Sequence, residues 1–131
     1  MTRYLLDTHV IYRWMRNDRR LGRDLRGILA RSDCTVSAAS LWEMVIKNSR
    51  GKLPLPKGSL GDALEAQGFA LLSIYARHVE ATRRFDQAIV DPFDRLLVAT
   101  AAEENMLLLT QDASMLALAA RTRLPIAEIT Y

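Results

Sequence analysis

Four acidic residues, each at the start of or inside a helical pattern that follows an apolar run, dominate the chemistry this chain offers. They are Asp7 in YLLDTHVIY, Glu43 in VSAASLWEMVIK, Asp94 in VDPFDRLLVATA and Asp112 in MLLLTQD. If the apolar runs are neighbouring parallel strands, the ends they share gather these carboxylates in one crevice. Two carboxylates about 5 Å apart repel by roughly 3 kcal/mol at an effective dielectric near 20. Four of them need a cation, protonation or wide spacing. A hard divalent ion with oxygen ligands is the simplest remedy, and it points to phosphate chemistry.

Each acid also has a structural reading. Asp7 and Asp112 are candidate helix N-caps, and Asp94 stands three residues after the candidate cap Asp91. Glu43 and Lys47 are spaced for an i,i+4 pair on a solvated face. Other chemistries find less support. His9, near Asp7, is within reach of the pocket but reads as a packed or surface residue, His78 reads as a surface residue, and no His/Cys spacing suits zinc. Ser37 and Ser40 lack a neighbouring base for nucleophilic catalysis. No glycine-rich phosphate loop occurs. Trp14 and Trp42 fall on apolar helix stripes and are expected in the core.

The elements that must carry the acids alternate strand-like and helix-like along the chain. Residues 3–7 read as a first strand, 8–16 as a helix with Val10, Ile11 and Trp14 inward, and about 20–31 as a second helix. Residues 34–37 form the second strand. Ser37 then caps a helix whose inward stripe is read as Ala38, Leu41, Trp42, Val45 and Ile46. A Pro/Gly loop spans 51–59, a short helix 60–67, a third strand 69–74 and a further helix 76–84. Asp91 as N-cap, Pro92 in the first turn and Asn105 as a left-handed terminator bound the longest helix. A fourth strand at 106–110, a helix at 112–121 and a last strand at 125–129 complete the pattern. Such alternation predicts an α/β fold with a mainly parallel sheet and helices on both faces.

At 131 residues the chain fits one domain, 1–131, able to bury about two-thirds of its unfolded surface. The start, MTRYLL, meets Asp7 before an apolar leader can develop, and no segment is apolar enough for a membrane span. The single cysteine, Cys34, excludes an intrachain disulfide, fits a cytoplasmic location and reads as a buried strand residue. Net charge is +3; with the four acids set aside, eighteen Lys and Arg face eleven Asp and Glu, a balance of +7. Eight of the basic residues lie in the first 31 positions, Arg13, Arg16, Arg19, Arg20, Arg23 and Arg26 among them. A basic body around an acidic pocket suits metal-dependent cleavage of a polyanion.

On these segments the chain resembles the PIN-domain ribonucleases of the VapC-like toxin group. LLDTHVIYRW resembles the opening strand and first acid, and VSAASLWEMVIKNSRGKLPLP the helix with the second. DPFDRLLVATA resembles the third motif and LLLTQD the Thr-x-Asp carrying the last acid. The resemblance implies a five-stranded parallel sheet in an α/β/α sandwich and Mg²⁺- or Mn²⁺-dependent RNA cleavage. It also implies inhibition by a small cognate antitoxin, and homodimers or antitoxin-bound oligomers. It maps the acidic quartet onto Asp7, Glu43, Asp94 and Asp112, the pocket threonine onto Thr110, and the start of the third motif onto Asp91. In those roles Asp7, Asp94 and Asp112 hold an ion, Glu43 orients or deprotonates water, and Arg95 with the basic rim contacts RNA. Two departures stand out. Ala113, Ser114 and Met115 follow Asp112 where many relatives carry another acid, which speaks against a stable second ion and leaves one or two ions open. The segment ALAARTRLPIAEITY matches less well.

Two other functions are compatible with the size and sheet. A phosphoacceptor domain requires an aspartate ending the third strand and a later lysine; Ser73-Ile74 and a lysine-free C-terminal half oppose it. A non-catalytic binding module of the same fold is the remaining alternative, and the intact quartet opposes it.

Overall fold

Apolar runs without alternation build strands covered on both faces, and the computed structural model, which describes residues 2–127, contains four of them. In chain order the elements are β1 (Arg3–Leu6), α1 (Thr8–Met15), α2 (Arg23–Arg31), β2 (Asp33–Ser37), α3 (Ala38–Ser49), α4 (Leu60–Ala66), β3 (Ala70–Leu72), α5 (Ala76–Ala81), α6 (Pro92–Glu103), β4 (Leu107–Leu109) and α7 (Ala113–Arg121). Short 3-10 turns follow α1 at Arg19–Leu21 and α5 at Thr82–Phe85. The strands are parallel, in the order β3-β2-β1-β4. The chain moves outward from β1 to β3 and returns to place β4 on the other side of β1. The order therefore reverses between β1 and β4, where a crevice opens at the carboxyl ends of an α/β sheet.

Successive strand residues face opposite layers, so the sheet has two cores. Leu6, Val36 and Leu109 pack with Val10, Ile11, Leu25, Met44 and Leu64. Leu5 and Leu108 pack with Ala39, Leu97, Val98, Ala101 and Met115 on the other face. The three-layer arrangement is the one expected.

The expected fifth strand at 125–129 is corrected. Among the described residues it amounts to one parallel bridge between Leu108 and Ile126, so the sheet has four strands rather than five; 128 and 129 lie outside those residues. The Leu108 N–H donates to the Pro125 carbonyl at 2.7 Å, and Ala127 donates back to Leu108 at 2.9 Å. Pro125 has no N–H with which to extend the ladder.

Local signals are obeyed closely. Ser37 accepts from the Ala39 N–H and Asp91 from the Asp94 N–H, capping α3 and α6. Asn105 adopts φ 56° just past α6. Face assignment fares differently on α3. Its buried residues are Ala39, Ser40, Glu43 and Met44, while Trp42 is 59% and Val45 52% exposed. Trp42 packs edge-to-face on Phe93 at 5.4 Å instead of entering the core. Trp14 is half-buried, against Phe69. His78, expected at the surface, is fully buried. Cys34 is buried as expected, and burial pushes its thiol up to about 11, which leaves it unreactive.

Candidate active site

Each acid reaches the crevice through a different local device. Asp7 follows β1 immediately, and its N–H donates to the Leu109 carbonyl of β4 at 3.0 Å, which fixes it beside the neighbouring strand end. It occupies the N-cap position of α1, yet its side chain makes no cap bond. Instead Asp7 Oδ2 accepts the Thr110 hydroxyl at 2.7 Å. Thr110 Oγ1 in turn accepts the Asp112 N–H at 3.1 Å. One threonine thus ties the ends of β1 and β4 and fixes two acids together.

Asp112 does cap α7: its Oδ1 accepts the N–H groups of Ser114 and Met115 at 2.8 and 3.1 Å. Its structural and functional readings are compatible, since the cap engages one carboxylate oxygen. Asp94 stands in the first turn of α6, set by the Asp91 cap. Glu43 projects inward from α3 at 9% exposure. Behind it, buried Thr8 donates to Ser40 Oγ at 3.0 Å and fastens α1 to α3.

The electrostatics report how the acids share the crevice. Burial is the main reason that the Asp94 carboxyl is pushed up to about 7, and the charges of Asp7, Asp91, Asp112 and Glu43 push the same way. Burial also raises Asp7, opposed chiefly by its hydrogen bond from Thr110, and Glu43 adds repulsion. Asp112 is lowered, first by its bond from Ser114. The quartet is therefore brought within electrostatic reach of one another. Among the described residues, however, no three His, Cys, Asp or Glu side chains stand close enough to ligate one ion. The donor chemistry, all carboxylate oxygen, suits a hard divalent cation.

Arg95 is not displayed on the rim as a free phosphate ligand. Its Nε and one terminal nitrogen donate to the carbonyls of Ile89 and Val90 at 2.8 and 3.0 Å, so it braces the loop that delivers Asp91 and Asp94. Beside that loop, Val90, Asp91, Asp94, Ser114 and Arg121 line a cleft of about 670 Å³. Two further residues were not assigned from sequence. His9 favours the ionised forms of both Asp7 and Asp112. Lys47 Nζ lies 3.1 Å from Glu43 Oε2. The signal for Lys47 was present in the polar stripe Ser40, Glu43, Lys47 along α3, which an apolar-moment reading turns outward.

The architecture coincides with that of a known family, whose PIN-domain model matches residues 4–121. The chain belongs to the PIN-domain family. The PIN fold here is shared with three solved assemblies. They are VapBC2 from Rickettsia felis bound to a promoter DNA fragment (TM-score 0.57, 16% identity, 88% of this chain and 92% of that one), a toxin–antitoxin complex from Klebsiella pneumoniae (0.56, 18%, 83% and 86%), and VapBC-1 from nontypeable Haemophilus influenzae (0.56, 15%, 90% and 92%). At such identities the likeness is one of fold. No curated protein matches the chain in sequence. Among the described residues, this PIN domain has no helix long and apolar enough to cross a membrane.

Proposed function

We propose that the chain, as one nuclease domain over 1–131, is a metal-dependent endoribonuclease acting as the toxin of a toxin–antitoxin pair that restrains translation and growth. The observation that carries this reading is the Asp94 carboxyl, held near neutrality by burial and by the other acids of the crevice. A carboxyl raised that far, first by burial and then by several neighbouring acids, supports a site kept for binding or chemistry rather than for stability. The fold shared with toxin–antitoxin complexes supports the biological role and a small antitoxin as partner. A cytoplasmic setting and a dimeric or antitoxin-bound assembly belong to the same reading.

In this mechanism Asp7, Asp94 and Asp112 would hold Mg²⁺ or Mn²⁺. Such a cation supplies charge neutralisation at phosphate and a lowered pKa for water. Thr110 keeps Asp7 in register with the end of β4. Glu43 would orient the attacking water and accept its proton, a role suited to a buried carboxylate. Water adds to phosphorus and the 3′ oxygen of the preceding nucleotide leaves, giving 5′-phosphate and 3′-hydroxyl ends. Arg95 acts by bracing the 89–91 loop, and the basic residues of the first 31 positions neutralise the RNA backbone.

The alternative reading is a non-catalytic PIN module that binds RNA or a partner. One experiment separates the two. Purified, antitoxin-free protein is incubated with structured RNA in Mg²⁺, Mn²⁺ or excess chelator, and product ends are mapped. Cleavage that needs the ion and leaves 5′-phosphates is the expected result. Cleavage undiminished by chelator, 2′,3′-cyclic phosphate ends, or no cleavage with either ion overturns the proposal.

A further inference from the structure

The crevice already contains a cation of the protein's own. Lys47 lies one turn beyond Glu43 on α3, and its ammonium sits 3.1 Å from Glu43 Oε2 and 3.5 Å from His9 Nε2. This is not the solvated i,i+4 pair expected from spacing. The Glu43 side chain is 12% exposed and that of Lys47 31%, and His9 links the pair to Asp7 and Asp112, whose ionised forms it favours. Lys47 thus places one positive charge at the edge of the four acids while its flank stays open to solvent.

A divalent cation arriving among the carboxylates meets repulsion from that ammonium. A phosphodiester arriving there meets attraction. We propose that Lys47 is a substrate-positioning residue whose ammonium pairs with Glu43 in the RNA-free protein and transfers to a backbone phosphate of bound RNA. The exchange balances charge at each stage. Without substrate, Lys47 offsets part of the acid repulsion; with substrate, Glu43 is released to act on water and the ammonium holds the phosphate. The inference rests on the nuclease reading above.

The test uses Lys47→Met, which keeps the aliphatic length and removes the charge, and Lys47→Arg, which keeps the charge. Titration calorimetry with Mn²⁺ alone, on the RNA-free protein, is expected to show K47M binding the ion about three- to tenfold more tightly than the parent, because a neighbouring like charge is gone. Cleavage of an oligoribonucleotide is expected to show KM raised about tenfold and the slope of log KM against log salt reduced by about 0.7, one phosphate contact on a single strand. Lys47→Arg should keep the parental slope. If the parent binds Mn²⁺ and cleaves RNA but K47M binds Mn²⁺ no more tightly, or keeps the parental slope, Lys47 is only a helix-surface partner of Glu43 and the proposal falls. A parent that neither binds Mn²⁺ nor cleaves removes the nuclease reading and this inference with it.

Discussion

Two clusters of ionisable groups, each gathered around a buried member, lie at different places in this fold, and they are built on opposite principles. Between α5 and the end of α6, buried His78 accepts the Tyr75 N–H at Nδ1, so its Nε2 proton points to Glu104 at 2.8 Å; Arg77 reaches the same carboxylate at 2.6 Å. The bond from His78, then that from Arg77, lowers the Glu104 carboxyl. Every charge there has an opposite or a donor. At the crevice, four carboxylates share one region and Asp94 is pushed up to about 7. The first cluster locks two helices together. The second stores repulsion that a bound cation would relieve, as the proposed nuclease site requires.

The comparison breaks most sharply at Asp94. Replacing it with asparagine should reduce RNA cleavage at least ~10²-fold, since charge stabilisation worth several kcal/mol is removed. The same change should raise the melting temperature of the ion-free protein, by roughly 3–5 °C for relief of about 1 kcal/mol of screened repulsion. Added Mn²⁺ should stabilise the parent, by about 2.7 kcal/mol at a hundred times its Kd, and the variant far less. A lowered, ion-insensitive melting temperature in D94N would mean that Asp94 serves only the helix terminus.

Glu104→Ala should give the mirror image. Buried His78 loses its acceptor, which destabilises the fold by about 1–3 kcal/mol, while cleavage per folded molecule stays at the parental level. Denaturant melts read the first quantity and initial rates the second. A loss of rate without a loss of stability would transfer the α5–α6 cluster to the functional side of the comparison.

The smallest effect is one of pH. The folded pKa of Asp94 is raised from 3.8 to about 7. The folded state therefore holds a proton that the unfolded chain releases, and this contribution is full below about pH 4 and lost as pH rises toward 7. Glu104 is lowered from 4.5, so its contribution is present above that value and lost as pH falls through the folded pKa. Melts of the ion-free protein across this range should show the neutral-side decline vanish in D94N and the acid-side decline shrink in E104A. Parallel profiles for the two variants would erase the distinction between the clusters.

Much of the scaffold was legible because the signals are local. Ser37 and Asp91 find their partners two and three residues onward, and Asn105 terminates α6 by its own backbone conformation. Those bonds form wherever the segment forms, so residue type suffices. The strand-end positions of Asp7 and Asp112 followed equally from where the apolar runs stop. The face of α3 did not follow. Apolar spacing pointed Trp42 and Val45 inward, and the helix instead turns Ser40 and Glu43 toward α1 and the crevice. An apolar stripe marks the buried face only when the opposing surface is apolar, and here part of it is a carboxylate pocket.

The sequence by itself determined which residues carry charge, where the strands end and therefore which acids stand near the carboxyl edge of a parallel sheet. Its caps and apolar runs sufficed because each depends on partners a few residues away. Tertiary structure alone decided that β4 returns beside β1, so that Thr110 and Asp7, 103 residues apart, share a hydrogen bond. It also decided that His78 is buried against Glu104, that Lys47 stands beside Glu43 at the edge of the acidic crevice, and that among the described residues the fifth strand contracts to one bridge at Ile126. The reason is common to all four. Each depends on a group contributed from elsewhere in the chain, and burial and charge pairing are fixed by what packs opposite a residue rather than by the residue itself.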